Sequence, residues 1–150
     1  MLNAATVFAA PVNDLGRGQT ALGLGSDTFY LEHKLSDAFT LGIQNVDRNG
    51  DMTDIYGQFD LSGNVKAIVG SRDLNYGSTK LYAGAAVHGE LSPDMRGYAS
   101  LVGGDGFNEL QVGGNIRLAS NLDLNVDYHS FNPDYGRSKS GVGAGLTLKF

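Results

Sequence analysis

From residue 18 onward, apolar and polar residues alternate with a period of two along almost the whole chain. Phe39-x-Leu41-x-Ile43, Ile55-x-Gly57-x-Phe59-x-Leu61, Val65-x-Ala67-x-Val69 and Leu81-x-Ala83-x-Ala85-x-Val87 carry it through the first half. Leu110-x-Val112-x-Gly114-x-Ile116-x-Leu118, Leu122-x-Leu124-x-Val126-x-Tyr128 and Val142-x-Ala144-x-Leu146-x-Leu148-x-Phe150 continue it to the end. Alternation of this kind marks β-strands with one apolar and one polar face, and no helical stripe of useful length competes with it. The pattern predicts an all-β chain of about ten strands. Their expected bounds are 18–25, 28–35, 38–47, 53–61, 65–73, 79–91, 95–103, 107–118, 122–131 and 140–150.

The breaks between strands alternate in length. Tight turns fall at Ser36-Asp37-Ala38, Ser62-Gly63-Asn64, Ser92-Pro93-Asp94 and Ala119-Ser120-Asn121. Longer polar loops lie between them, at 48–51, 75–78, 103–106 and 132–139. Gly, Pro, Asn, Asp and Ser supply the turn chemistry in each case. Up-and-down barrels that cross a membrane combine short turns at one end with longer loops at the other, on an even number of strands.

Hairpin symmetry then gives a register. Residues equidistant from the centre of a tight turn face each other on the same side of the sheet. Leu61 is expected opposite Val65, which sets Asp60 against Lys66 and Asp54 against Arg72. Leu91 opposite Met95 sets Glu90 against Arg96. Leu118 opposite Leu122 sets Arg117 against Asp123. The first tight turn gives only Lys34 opposite Thr40. Acid thus meets base on the polar face of three successive hairpins, which fixes the hairpins without saying which face is inside.

Composition narrows the class. The 150 residues are one domain's worth, with 18% charged residues and 22 glycines. With no Cys, disulfides and thiolate metal sites are excluded, and three scattered His residues make a His-based zinc site a poor fit. The net charge of −5 lacks the basic face that nucleic-acid binding needs. No apolar run approaches the roughly 18 residues of a transmembrane helix, a test that β-barrels escape. The polar face is rich in Gly, Asn, Gln, Thr and Tyr and poor in Lys, unlike a solubilising exterior. Leu41, Ile55, Val69, Leu110, Ile116, Leu124, Leu146 and Leu148 are therefore expected to face lipid. Tyr56, Gln58, Gln111, Asn115 and Asn125 are expected to face a lumen.

The chain end adds a family resemblance. Gly145-x-x-Leu148-x-Phe150 resembles the C-terminal β-signal of bacterial outer-membrane barrels, and the pattern of residues 18–150 is similar to that of the small members with eight to ten strands. The resemblance implies a closed antiparallel up-and-down transmembrane β-barrel, tight turns in the periplasm, and a bacterial outer membrane as its site. It implies outer-membrane lipids as partners, and the barrel assembly machinery as reader of Gly145, Leu148 and Phe150. The absence of Trp departs from the aromatic girdles common in that family, although Phe39, Phe59 and Phe150 could form one at the turn end.

The N-terminal segment, residues 1–17, stands apart from the barrel at 18–150. Met1 to Ala10 is apolar and small, and Val7-x-Ala9 suits a signal-peptidase site, but the stretch is short and lacks a basic region. It is either the remnant of a leader or, over 3–12, an added strand.

The polar face holds Glu32, Asp54, Asp60, Glu90, Glu109, Asp123 and Asp127 against Lys34, Lys66, Arg72, Arg96, Arg117 and Lys149, with His88 and His129. Inside a narrow lumen such groups should pair, because an unpaired charge of low solvation is costly. The expected function is a structural barrel or narrow passive pore with a charge-paired lumen, without catalysis or cofactor. The alternative is a soluble β-barrel carrying a hydrophobic ligand. Oligomeric state is not legible.

Enzyme and ion signatures are weak. His129 and Ser130 resemble part of the His-x-Ser-Asn motif of lipid A deacylase barrels. Being adjacent, however, they point to opposite faces, and Asn132 is displaced. Asp127 with His129 fits a rim protease only loosely. Gly103-Gly104-Asp105-Gly106 lacks the Lys-Ser/Thr and helix of a phosphate loop. Asp47-x-Asn49-x-Asp51 has alternating oxygen ligands but no twelfth-position Glu, leaving weak cation binding at most.

Overall fold

Each alternating segment becomes a strand. The computed structural model describes residues 12–25, 28–46, 52–74, 79–104, 106–133 and 139–150. The strands are β1 (Thr20–Gly25), β2 (Thr28–Lys34), β3 (Phe39–Val46), β4 (Met52–Ser62) and β5 (Val65–Leu74). They continue with β6 (Thr79–Ser92), β7 (Met95–Gly104), β8 (Phe107–Ala119), β9 (Leu122–Pro133) and β10 (Lys139–Lys149). Every neighbour in sequence is an antiparallel neighbour in space, and β1 pairs with β10 to close the barrel. The last residue completes the seam: Phe150 N donates to Thr20 O (2.9 Å) and Thr20 N to Phe150 O (2.7 Å). Closure leaves no strand edge unpaired, which a lipid-exposed sheet requires.

The hairpin register holds, with one local correction. Asp54 stands opposite Arg72, Asp60 opposite Lys66, Glu90 opposite Arg96 and Arg117 opposite Asp123. At the turn itself, however, Val65 meets Ser62, Met95 meets Ser92 and Leu122 meets Ala119, not Leu61, Leu91 and Leu118. A bulge accommodates one extra residue on the first strand of each hairpin and leaves the pairing beyond it in step. The displaced leucines stand far out, at 66%, 67% and 54% exposure.

The polarity is that of a globular protein turned inside out. Leu41, Ile55, Val69, Leu110, Leu146 and Leu148 are exposed, as are Leu81, Leu101 and Val142. Ile116 and Leu124 lie on the same outer rows but stand opposite each other, with Met95 opposite Ile116, and are half-covered. Tyr56, Gln58, Gln111, Asn115 and Asn125 are buried. The outer belt gives way to polar residues toward the loop end, where Asn45 Nδ2 donates to Thr53 Oγ1 (3.2 Å) and Asp73 stands opposite Thr53. At the turn end Phe39 and Phe59 pack with ring centroids 4.9 Å apart. A soluble carrier of hydrophobic ligands needs an apolar interior, and the described lumen is polar, which sets that alternative aside.

A regular device spaces the lumen. Tyr30 stands opposite Gly23, Tyr56 opposite Gly42, Tyr82 opposite Gly70 and Tyr98 opposite Gly113. Each ring lies over its glycine so closely that a Cβ there would fall 1.9 to 2.7 Å from a ring atom. The rings thereby lie flat along the wall and leave the axis to polar groups. Gly42→Ala should force Tyr56 off its seat and cost about 1–3 kcal/mol, read as a lower urea midpoint in lipid vesicles.

Residues 12–15 do not extend the sheet. Val12, Asn13 and Leu15 are buried, inside the barrel. The chain turns at the rim, where Gly18 (φ +80°) donates its N–H to Lys34 O at 2.8 Å. The leader and added-strand readings of 3–12 fall almost wholly outside the described residues.

Candidate functional site in the barrel lumen

The lumen is filled in tiers. Toward the loop end, Arg72 on β5 reaches Asp54 on β4 through Nε (3.0 Å to Oδ1) and Nη2 (3.1 Å to Oδ2). The same Nη2 donates across the barrel to Glu109 Oε1 on β8 (3.2 Å), and Tyr82 Oη donates to Asp54 Oδ2 (3.2 Å). The guanidinium also lies 5.1 Å from the ring centroids of both Tyr82 and Phe107. Phe107 in turn stacks on Phe131 at 5.5 Å. A planar, bidentate cation between two aromatic faces is the role arginine fills better than lysine.

The middle tier is made of neutral donors and carboxylates. Tyr56 Oη donates to Glu32 Oε2 (2.6 Å), and Gln111 Nε2 to Asp127 Oδ2 (2.6 Å). Asn125 Nδ2 reaches Tyr98 Oη and Asn115 Oδ1, each at 2.8 Å. Tyr30 and Thr147 share a hydrogen bond between their hydroxyls. The N-terminal segment joins this tier: Asn13 Nδ2 donates to Glu32 Oε1 (2.9 Å) and Tyr30 Oη (3.2 Å), and Asn115 Nδ2 donates to Val12 O (2.8 Å).

The turn-end tier carries Lys34, Lys66, Lys149 and Arg96. Asp60 takes Lys34 (2.7 Å) and Lys66 (3.1 Å), and Asp123 takes Lys149 (2.9 Å). Arg96 lies 2.9 Å from His88 Nδ1 and 3.6 Å from Asp14.

Of the pairs expected from register, the structure brings Asp54 to Arg72 and Asp60 to Lys66. It does not bring Glu90 to Arg96 or Arg117 to Asp123, although both stand opposite each other. Glu90 and Arg117 are exposed at the last position before a bulge, where water solvates them and a single ion pair gains little. Their partners turn inward to other groups. Lys34–Asp60 and Arg72–Glu109 join strands that are not neighbours, and hairpin symmetry is blind to them. Asn13 had no sequence signal beyond a polar residue beside apolar Val12 and Leu15.

His129 is buried over Gly141, with Nε2 3.5 Å from where a Cβ would lie, while Asn132 is at the loop rim donating to Asn108 Oδ1 (3.1 Å). The motif-like residues thus point to different places. Among the described residues no group of three His, Asp or Glu side chains could hold a metal ion. The Asp47–Asn49–Asp51 candidate lies outside the described residues.

No family model and no curated protein matches the chain. Solved structures do. The NanC porin superposes with a TM-score of 0.50 at 8% identity, over 88% of this chain and 99% of that one. The chain has the fold of the outer-membrane β-barrels. A de novo designed transmembrane β-barrel gives a TM-score of 0.47 at 17% identity, covering 92% of this chain and all (100%) of that one. The N-terminal β-barrel domain of Pseudomonas aeruginosa OprF gives 0.43 at 10% identity, covering 91% of this chain and 100% of that domain. At such identities the likeness is one of fold alone.

Proposed function

We propose that this protein is an integral outer-membrane β-barrel of a diderm bacterium, with a lumen that serves as a structural core and passes solutes through a narrow path at most. The observation that carries the reading is the inverted polarity: an exposed apolar belt around buried, mutually bonded polar side chains. Lipid completes the environment of the belt, and its own backbone ladders satisfy every strand. Ten strands lie near the eight-stranded size at which side chains just fill the interior. Asp54–Arg72 and Asp60–Lys66 brace that interior, and the reading assigns it no catalysis. Gly145, Leu148 and Phe150 serve as the signal read by the assembly machinery, with Leu148 and Phe150 exposed on the outer face and so open to contact.

Planar-bilayer recording tests the closed lumen. The unmodified protein should stay near baseline, and neutralising Asp54 and Arg72 together should raise the conductance. Steady large openings of the unmodified protein would instead make it a pore.

A further inference from the structure

The place that residues 12–15 fill has a chemistry of its own. Glu32 is fully buried, and its hydrogen bonds come from neutral groups, the Tyr56 hydroxyl at 2.6 Å and the Asn13 carboxamide at 2.9 Å. Asp54, Asp60 and Asp123 each hold a Lys or Arg, whereas among the described residues no Lys or Arg lies within ion-pair distance of Glu32, and Lys66 and Lys149 act on it only from farther off. Asn13 Nδ2 donates to both the Glu32 carboxylate and the Tyr30 phenol oxygen, while its own Oδ1 is buried with no hydrogen-bond partner. The wall reads the nitrogen and leaves the carbonyl stranded, at the cost that any buried unsatisfied acceptor carries. One nitrogen donating to a carboxylate and a phenol is what a primary ammonium does, with a full charge and no stranded acceptor.

We propose that residues 12–15 form a detachable stopper in a site for a primary ammonium group, which enters by the tight-turn mouth. Three features support withdrawal by that route. The segment is tethered at the same rim, through Gly18 to Lys34 O and Thr20 to Phe150 O. Its ion pair to the wall, Asp14–Arg96, is long at 3.6 Å and half-exposed. Among the described residues its other hydrogen bonds to the wall are those of Asn13 and the Val12 carbonyl, beside the apolar burial of Val12 and Leu15. The inference goes beyond the membrane reading and does not need the lumen to conduct.

The test uses the full chain in detergent micelles, with folding checked by the heat-dependent gel shift of intact barrels. The protein has no cysteine, so Leu15→Cys gives a single reporter thiol at a buried stopper position. Its rate of modification by an anionic methanethiosulfonate is compared with that of Asp37→Cys, which sits on an exposed turn. The stopper thiol should react far more slowly than the turn thiol, and adding Asn13→Ala should speed it by about tenfold. n-Butylammonium should speed it as well by taking Glu32, while tetramethylammonium, which has no N–H, should not. Glu32→Gln keeps an acceptor for Asn13 but removes the charge, so the stopper thiol should stay protected and the butylammonium effect should vanish. Equal rates for the stopper and turn thiols would overturn the stopper. Protection that butylammonium does not relieve, or that tetramethylammonium relieves equally, would overturn the ammonium site, and this arm needs no change at Asn13.

Discussion

Arg72→Met should destabilise the barrel by about 3–5 kcal/mol, measured by urea unfolding in lipid vesicles. The guanidinium is almost fully buried and donates to Asp54 and Glu109 together, so its loss strands carboxylates in a place water reaches poorly. Tyr82 Oη still donates to Asp54 but cannot replace a charge. The companion measurement is a double-mutant cycle. Asp54→Asn combined with Arg72→Met should cost less than the sum of the single changes, because the second substitution removes a charge the first has orphaned. Additive costs would mean that the two side chains are braced independently.

Val69→Arg should cost about 2–4 kcal/mol in the same assay, since the position is midway along β5 on the lipid-facing side. Val69 is 46% exposed, and in a water-soluble barrel an arginine there would be nearly neutral. The same change at Asn45, on the outer face near the loop end, should cost little, because headgroups and water solvate the cation there. The contrast between the two sites separates a membrane exterior from a wet one.

The strands and their pairing were legible because a period of two and four symmetric turns leave little freedom. Asp60 could be set against Lys66, and Asp54 against Arg72, by counting outward from Gly63. Counting outward also fixes which backbone positions oppose, and it does so even for Glu90–Arg96 and Arg117–Asp123, where the side chains separate. What a side chain then bonds depends on distance to the rim and on the barrel's closure, which brings Lys34 to Asp60 and Arg72 to Glu109. The bulges at Leu61, Leu91 and Leu118 were invisible because each adds a residue without disturbing the pairs beyond it.

The tyrosine-over-glycine contacts were hidden for a related reason. Tyr30–Gly23, Tyr56–Gly42, Tyr82–Gly70 and Tyr98–Gly113 all lie on the hairpins that close at the loop end, opposite the four tight turns from which the register was counted. The alternation does require Tyr and Gly on the lumen face, so the ingredients were visible and the matching was not. Residues 12–15 failed for a different cause. A segment without secondary structure that fills a lumen has no periodicity, and apolar Val12 and Leu15 look the same in a plug, a leader or a strand.

The central claim is that the apolar face meets lipid. The chain contains no tryptophan, so a single indole introduced by Ile55→Trp or Leu146→Trp reports its own surroundings. Both positions are exposed on the outer face, at 54% and 46%. After refolding into vesicles, lipids brominated along the acyl chain should quench both indoles strongly, and aqueous iodide should not. A protein that folds as a monomer in plain buffer, with the indoles quenched by iodide and indifferent to brominated lipid, would contradict the account.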